Sequence, residues 1–155
     1  MDATYQAKEK LLNQFGESIR SYFPTDRIEH EAIWISAVFD NLRASVAGGS
    51  PDAIDIAIFL IEKDPMWLPF GKLIKSDLAR ALKKNVAKIS PAHREKIVAV
   101  VVRLLQSEHI PRELEDYAKL IKKFPPSEFG ELVASVKPLC DKAREIQSYL
   151  IYSPC

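Results

Sequence analysis

Apolar residues recur at helical spacing along most of this chain. Ala7, Leu11, Phe15, Ile19 and Tyr22 are three or four positions apart, which predicts a first helix over Ala3–Tyr22 with those side chains on one face. Pro24 ends it, and Thr25 or Asp26 is placed to cap a second helix that runs to about Ala47. The second helix carries a stripe of Ile28, Ala32, Ile35, Phe39, Leu42 and Val46, with Trp34 and Val38 on its flank. Gly48-Gly49 supplies the stop, because glycine adopts the left-handed conformation of a helix end without a Cβ clash. Ser50-Pro51 opens a third helix: the serine hydroxyl accepts from a first-turn N–H, and the missing proline N–H costs nothing there. The apolar run from Ile54 to Ile61 follows and ends at Asp64-Pro65. A fourth helix is predicted over Phe70–Asn85. Its inner face is Phe70, Leu73, Ile74, Leu78, Ala81 and Leu82, with Lys72, Ser76, Arg80 and Lys83 opposite.

The second half repeats these signals. Ser90-Pro91 caps a fifth helix whose stretch from Ile97 to Leu105 is apolar nearly all round. Pro111 starts a sixth, with Leu114, Tyr117, Ala118, Ile121 and Phe124 inside and Glu115 four residues before Lys119, the favourable order for a helical ion pair. Pro125-Pro126 breaks the chain, and Ser127 is placed to cap a seventh helix with Phe129, Leu132, Val133 and Val136 on one face. Pro138 either kinks that helix or opens an eighth, in which Leu139, Ala143, Ile146 and Leu150 align. A strand reading competes at two places, since Ile54–Ile58 alternates and Val98–Val102 is rich in β-branched residues. The Ser-Pro starts, run lengths beyond those of strands and only five glycines for turns favour helix. The predicted fold class is therefore all-α, with seven or eight helices in antiparallel pairs, forming a short α-solenoid or an irregular helical bundle. The pairs fall at about 3–47, 50–85, 90–124 and 127–152 of one helical domain covering 1–155.

The middle of the chain repeats itself. Ser76–Lys84 aligns with Glu115–Lys123, and the Ser-Pro pairs at 50 and 90 share nearly the same offset, a period of about forty residues. In that period, in its two-helix units and in the Asp-x-Ala-Arg/Lys pattern of the second helices, the stretch from Ser50 to Phe124 resembles a HEAT-type helical array. The resemblance implies that the second helices share a binding surface, which would include Lys72, Arg80, Lys83, Lys119, Lys122 and Lys123.

Composition narrows the picture without naming an activity. At 155 residues, 47% of them hydrophobic and 28% charged, the chain is long enough to bury a sizeable core, and its net charge is +1. Cys140 and Cys155 are too few for a disulfide framework and fit a reducing compartment. No apolar run approaches the ~18 residues of a membrane span, and no charged-then-apolar leader opens the sequence, so a soluble, cytoplasmic protein is expected. Locally, Lys72, Lys75, Arg80, Lys83, Lys84 and Lys88 meet a single acid, Asp77.

Motifs for chemistry are few. The chain has no His-Glu-x-x-His, Cys-x-x-Cys, Gly-x-Ser-x-Gly or phosphate-cradling glycine loop. Asp26 and His30 are one turn apart, but two ligands do not hold a metal, and no cofactor is implied. The carboxylate pairs Asp52 with Asp55 and Glu113 with Asp116 fall in first turns, where acids favour the helix dipole. Two surfaces remain. Met66, Trp67 and Phe70 lie in a very apolar connector, which either plugs the gap between helix pairs or anchors a partner. Lys72, Arg80, Lys83, Lys84, Lys119, Lys122 and Lys123 form a candidate phosphate-binding row. The sequence-based expectation is a non-catalytic module that binds a protein partner. The alternative is binding to a nucleic-acid backbone, and an enzyme whose site is assembled from distant residues is a third class.

Overall fold

The computed structural model describes residues 3–25, 27–64 and 71–152; of residues 3–7, 71 and 72 it describes the backbone alone. Eight α-helices and three short 3-10 segments make up the described residues, which contain no strand. The helices are α1 (Ala3–Phe15), α2 (Glu31–Ala47), α3 (Pro51–Lys63), α4 (Gly71–Lys83), α5 (Pro91–Leu105), α6 (Leu114–Ile121), α7 (Gly130–Ala134) and α8 (Asp141–Tyr152). The alternating and β-branched stretches within α3 and α5 are helical, as their Ser-Pro starts require. Ser50 Oγ accepts from Ala53 N at 3.4 Å and Ser90 Oγ accepts from His93 N at 3.2 Å, so both serines satisfy an otherwise unpaired first-turn donor.

Packing is in two layers. α3 and α5 lie against each other, while α2 packs on α4 and α4 on α6 in the second layer. Each pair closes across the layers, α3 on α4 and α5 on α6. α1 covers one end against α2, and α8, joined by α7, covers the other against α5 and α6. Leu42, Val46, Ala57, Leu60, Leu82, Val101, Leu105, Leu114 and Leu120 fill the interior with no exposed surface.

Helix ends are tied by side chains from neighbouring segments, which answers the need of the last carbonyls for partners. Asn85 Nδ2 donates to Val46 O at 3.0 Å and to Ala47 O at 2.6 Å, closing the end of α2. Gln147 Nε2 donates to Val133 O and Val136 O at 2.9 and 2.8 Å, closing α7. Lys122 Nζ donates to Tyr149 O and Leu150 O at 2.9 and 3.1 Å in the last turn of α8. Gly49 has φ +85°, and a Cβ there would meet the Lys88 side chain. Asn85→Ala is expected to lower stability by about 1–2 kcal/mol, because both carbonyls lose a donor and only water replaces it. A urea titration of the two proteins checks this through the midpoint at an unchanged slope.

Several boundaries differ from the sequence pattern. The first helix stops at Phe15, because Gly16 turns to φ +72° and the chain continues as a 3-10 segment to Tyr22. α2 begins at Glu31, after an extended stretch, and His30 caps it without a side-chain bond. Ser127 lies inside a 3-10 turn, and α7 starts at Gly130 with no side-chain cap. Residues 135–140 are not helical, so Pro138 separates α7 from α8 instead of kinking one helix. Leu132 and Leu139, expected inside, are exposed, whereas Val133, Ala143, Ile146 and Leu150 are buried.

The largest difference is the rotation of α4. Leu73 is 58% exposed, while Lys75 and Ser76 are buried at 5% and 6%. A lysine goes inward here because two acids are waiting for it, one from α3 and one from the start of α6.

Candidate functional site

α4 is the centre of the second layer, with α2 on one side and α6 on the other, so most of its circumference is covered. What remains open is a narrow strip of Leu73, Asp77, Arg80 and Lys84, spaced four, three and four residues apart on one helical face. On α2 the matching strip is Ile33, Ser36, Asp40 and Arg43, and Ile33 is 57% exposed. Between the strips lies a groove of about 270 Å³ lined by Ser36, Phe39, Asp40, Arg43, Leu73, Ile74, Asp77 and Leu78. Its floor is apolar, from Phe39, Ile74 and Leu78, and its rims are charged. Asp40 pairs with Arg43 at 3.7 Å, and Asp77 pairs with Arg80 at 3.2 Å.

A second groove, also about 270 Å³, opens between α6 and α8 and is lined by Glu115, Ala118, Lys119, Lys142, Glu145, Ile146 and Tyr149. Lys142 bridges it, pairing with Glu115 and, at 3.7 Å, with Glu145. Glu115 thus takes its partner from α8, not the Lys119 that sequence spacing offered. The hydrogen bond from Lys142, and then its charge, hold the Glu115 carboxyl below the usual range. A lowered carboxyl pKa gives stability that is present above the ordinary carboxyl pKa and lost as pH falls through the folded value. Both side chains are about half exposed, so solvent screens the effect and it is small. Glu115→Gln is expected to cost stability at neutral pH and progressively less as pH falls through the folded carboxyl value. Thermal melts of both proteins across acid pH check this through convergence of their midpoints.

Beneath the surface, α4 and α6 are joined by ionic contacts. Lys75 Nζ reaches Glu113 Oε1 at 3.1 Å and also pairs with Asp64, the C-cap of α3, whose φ is 48°. Glu113 is 4% exposed. Arg80 places Nε 3.1 Å from Asp116 Oδ1 and Nη2 3.3 Å from Oδ2, a two-pronged contact with a largely buried carboxylate. The carboxylate pair Glu113 and Asp116 therefore does more than favour a helix dipole: each acid holds one base of α4.

The sequence-derived candidates divide three ways. Met66, Trp67 and Phe70 lie outside the described residues, as does the side chain of Lys72. Arg80 stays exposed but is ion-paired with Asp77 and Asp116, and Lys122, which is buried, is bound to the end of α8. Lys84, Lys119 and Lys123 are exposed and Lys83 is partly so. The residues of the α2–α4 groove were not singled out by sequence reasoning; the one signal for them was the apolar Leu73 beside charged neighbours, which the helical pattern assigned inward. Among the described residues, no three His, Cys, Asp or Glu side chains come together as a metal site. No single helix there is long and apolar enough to cross a membrane; α2 and α3 qualify only together and are bent by 119°.

Comparison with known proteins adds no family: no family model, no curated protein and no solved structure matches this chain. The fold and its surface define it as an all-α protein with a groove-bearing second layer.

Proposed function

We propose that this chain is a non-catalytic protein-interaction module of helical-repeat, HEAT-like organisation, which binds a protein partner through the α2–α4 groove. The observation that carries this reading is the exposed aliphatic side chain of Leu73 in the wall of the groove, between the ion pairs Asp40–Arg43 and Asp77–Arg80. A second exposed aliphatic residue, Ile33, lies on the facing strip of α2. An apolar centre with a polar rim is the anatomy of a protein interface. The stacking of α3 on α5 and of α2, α4 and α6 in a row supports the solenoid description. A reducing, cytoplasmic setting goes with the proposal, supported by a sequence with only two cysteines, Cys140 and Cys155.

Leu73→Glu is expected to abolish capture of a partner that wild-type protein retains from lysate, a loss of at least about 30-fold in affinity for a central anchor residue. Equal melting temperatures for the two proteins show that the fold is kept. Identical capture by both would exclude the groove.

Among the described side chains, the nucleic-acid alternative rests on Lys83, Lys84, Lys119 and Lys123 once Arg80 and Lys122 have partners within the chain. Asp77 and Glu115 interrupt that row on the same strips. A low-salt titration with duplex and single-stranded oligonucleotides is therefore expected to show no saturable binding, and a steep salt-dependent affinity would reverse the preference.

A further inference from the structure

Where α4 meets the start of α6, three ionisable side chains are almost completely buried together: Lys75, Glu113 and Tyr117, at 5%, 4% and 1% exposure. Glu113 is the N-cap residue of α6 and Tyr117 stands four residues on, so both lie over the same turn of the helix. Their hydrogen bonding is incomplete. Glu113 Oε1 is ion-paired with Lys75 at 3.1 Å, yet Oε2 is buried with no partner among the described residues, and so is the Tyr117 hydroxyl. Lys75 has three N–H donors; one is hydrogen-bonded to Asp64, while Glu113 Oε1 is an ion-pair contact. The cluster thus holds an acceptor, Glu113 Oε2, and a donor, the Tyr117 hydroxyl, without partners among the described residues, beside a lysine with N–H groups to spare. Leaving buried polar atoms in that condition is costly, and native structures rarely do so.

We propose that this cluster is an internal hydration site, in which one tightly held water molecule joins Tyr117, Glu113 and Lys75. Water has the required valence. Its oxygen accepts from the Tyr117 O–H and from a Lys75 N–H, and one of its hydrogens is donated to Glu113 Oε2. Three contacts is the usual number for a buried water. A water also separates the phenol from the carboxylates around it. Burial, and after it the charges of Glu113, Asp64 and Asp116, push the Tyr117 hydroxyl far above its ordinary value, so it remains an O–H donor. Asp64, the other partner of Lys75, is more than half exposed, so the cluster lies one side chain from solvent.

The test pairs a deletion with a count. In Tyr117→Phe the folding equilibrium constant is expected to fall about fivefold, the worth of a typical hydrogen bond. Oxygen-17 relaxation dispersion is expected to register one fewer long-lived water than in the wild type. A loss of stability with an unchanged water count would mean that the hydroxyl bonds Glu113 directly, and would overturn the site. An unchanged or raised stability would mean that the hydroxyl has no partner at all, with the same consequence. A high-resolution crystal structure of the wild-type protein decides the matter independently of any variant. The expected result is a water within hydrogen-bond distance of both Tyr117 Oη and Glu113 Oε2, and a dry, fully packed site would contradict the proposal.

Discussion

Lys75→Met is expected to destabilise the protein by about 3–5 kcal/mol, enough to remove a large part of the stability of a domain this size. The lost attraction is only part of the reason. Lys75 is the cation beside a Glu113 carboxylate that has almost no access to water, and deleting it leaves that carboxylate buried without a counter-charge. The paired variant makes the argument testable. Lys75→Met combined with Glu113→Met removes both charges and keeps the apolar volume, so most of the loss is expected to return, since well-packed hydrophobic replacements of buried ion pairs are often neutral or better. Asp64 stands more than half in solvent and needs no compensation. Urea unfolding of the wild type, both single variants and the double variant gives the coupling energy directly. Equal stability for the Lys75→Met single and double variants would show that the Glu113 charge is not what makes the deletion costly.

The second large effect concerns two of the three leucines of α4, Leu73 and Leu82, which share an apolar sequence pattern and have opposite fates. Leu82 is fully buried, so Leu82→Ala is expected to cost about 2–5 kcal/mol through lost burial and the cavity left behind. Leu73 is mostly in solvent, so Leu73→Ala is expected to change stability by no more than about 0.5 kcal/mol. Partner binding should invert the order, with Leu73→Ala weakening it and Leu82→Ala acting only through stability. Denaturant midpoints for the two variants check the first half. Two similar losses would mean that both leucines belong to the interior and that the groove has no apolar anchor.

These leucines also show how far the sequence could be read. Signals that act over a few residues were legible. Ser50-Pro51 and Ser90-Pro91 start helices because cap, proline and apolar run occur together, and the stripe of α2 from Ile35 to Val46 and the inner face of α6 point inward as their spacing requires. The rotation of α4 was not legible. A lysine in a helical pattern reads as outward, and only the approach of Asp64 and Glu113 from other helices makes its burial tolerable. The same holds for Glu115, whose local partner Lys119 was visible while its actual partner Lys142 lies on α8. Arg80 and Lys122 looked like members of a basic row because charge counts along the chain carry no information about which carboxylate or carbonyl the fold brings opposite. The candidate groove depends on all of these placements, which is why no short motif announced it.

The orientation of α4 supports both the groove and the buried cluster, and thiol labelling measures it most directly. In a background with Cys140 and Cys155 replaced by serine, Leu73→Cys and Ser76→Cys each place one thiol on the helix. With Leu73 facing the groove and Ser76 facing the interior, Cys at 73 is expected to react with a soluble maleimide nearly as fast as a free peptide. Cys at 76 is expected to react at least about 100-fold more slowly, limited by opening of the fold. The reverse order, with position 73 protected and position 76 labelled at once, would contradict the account.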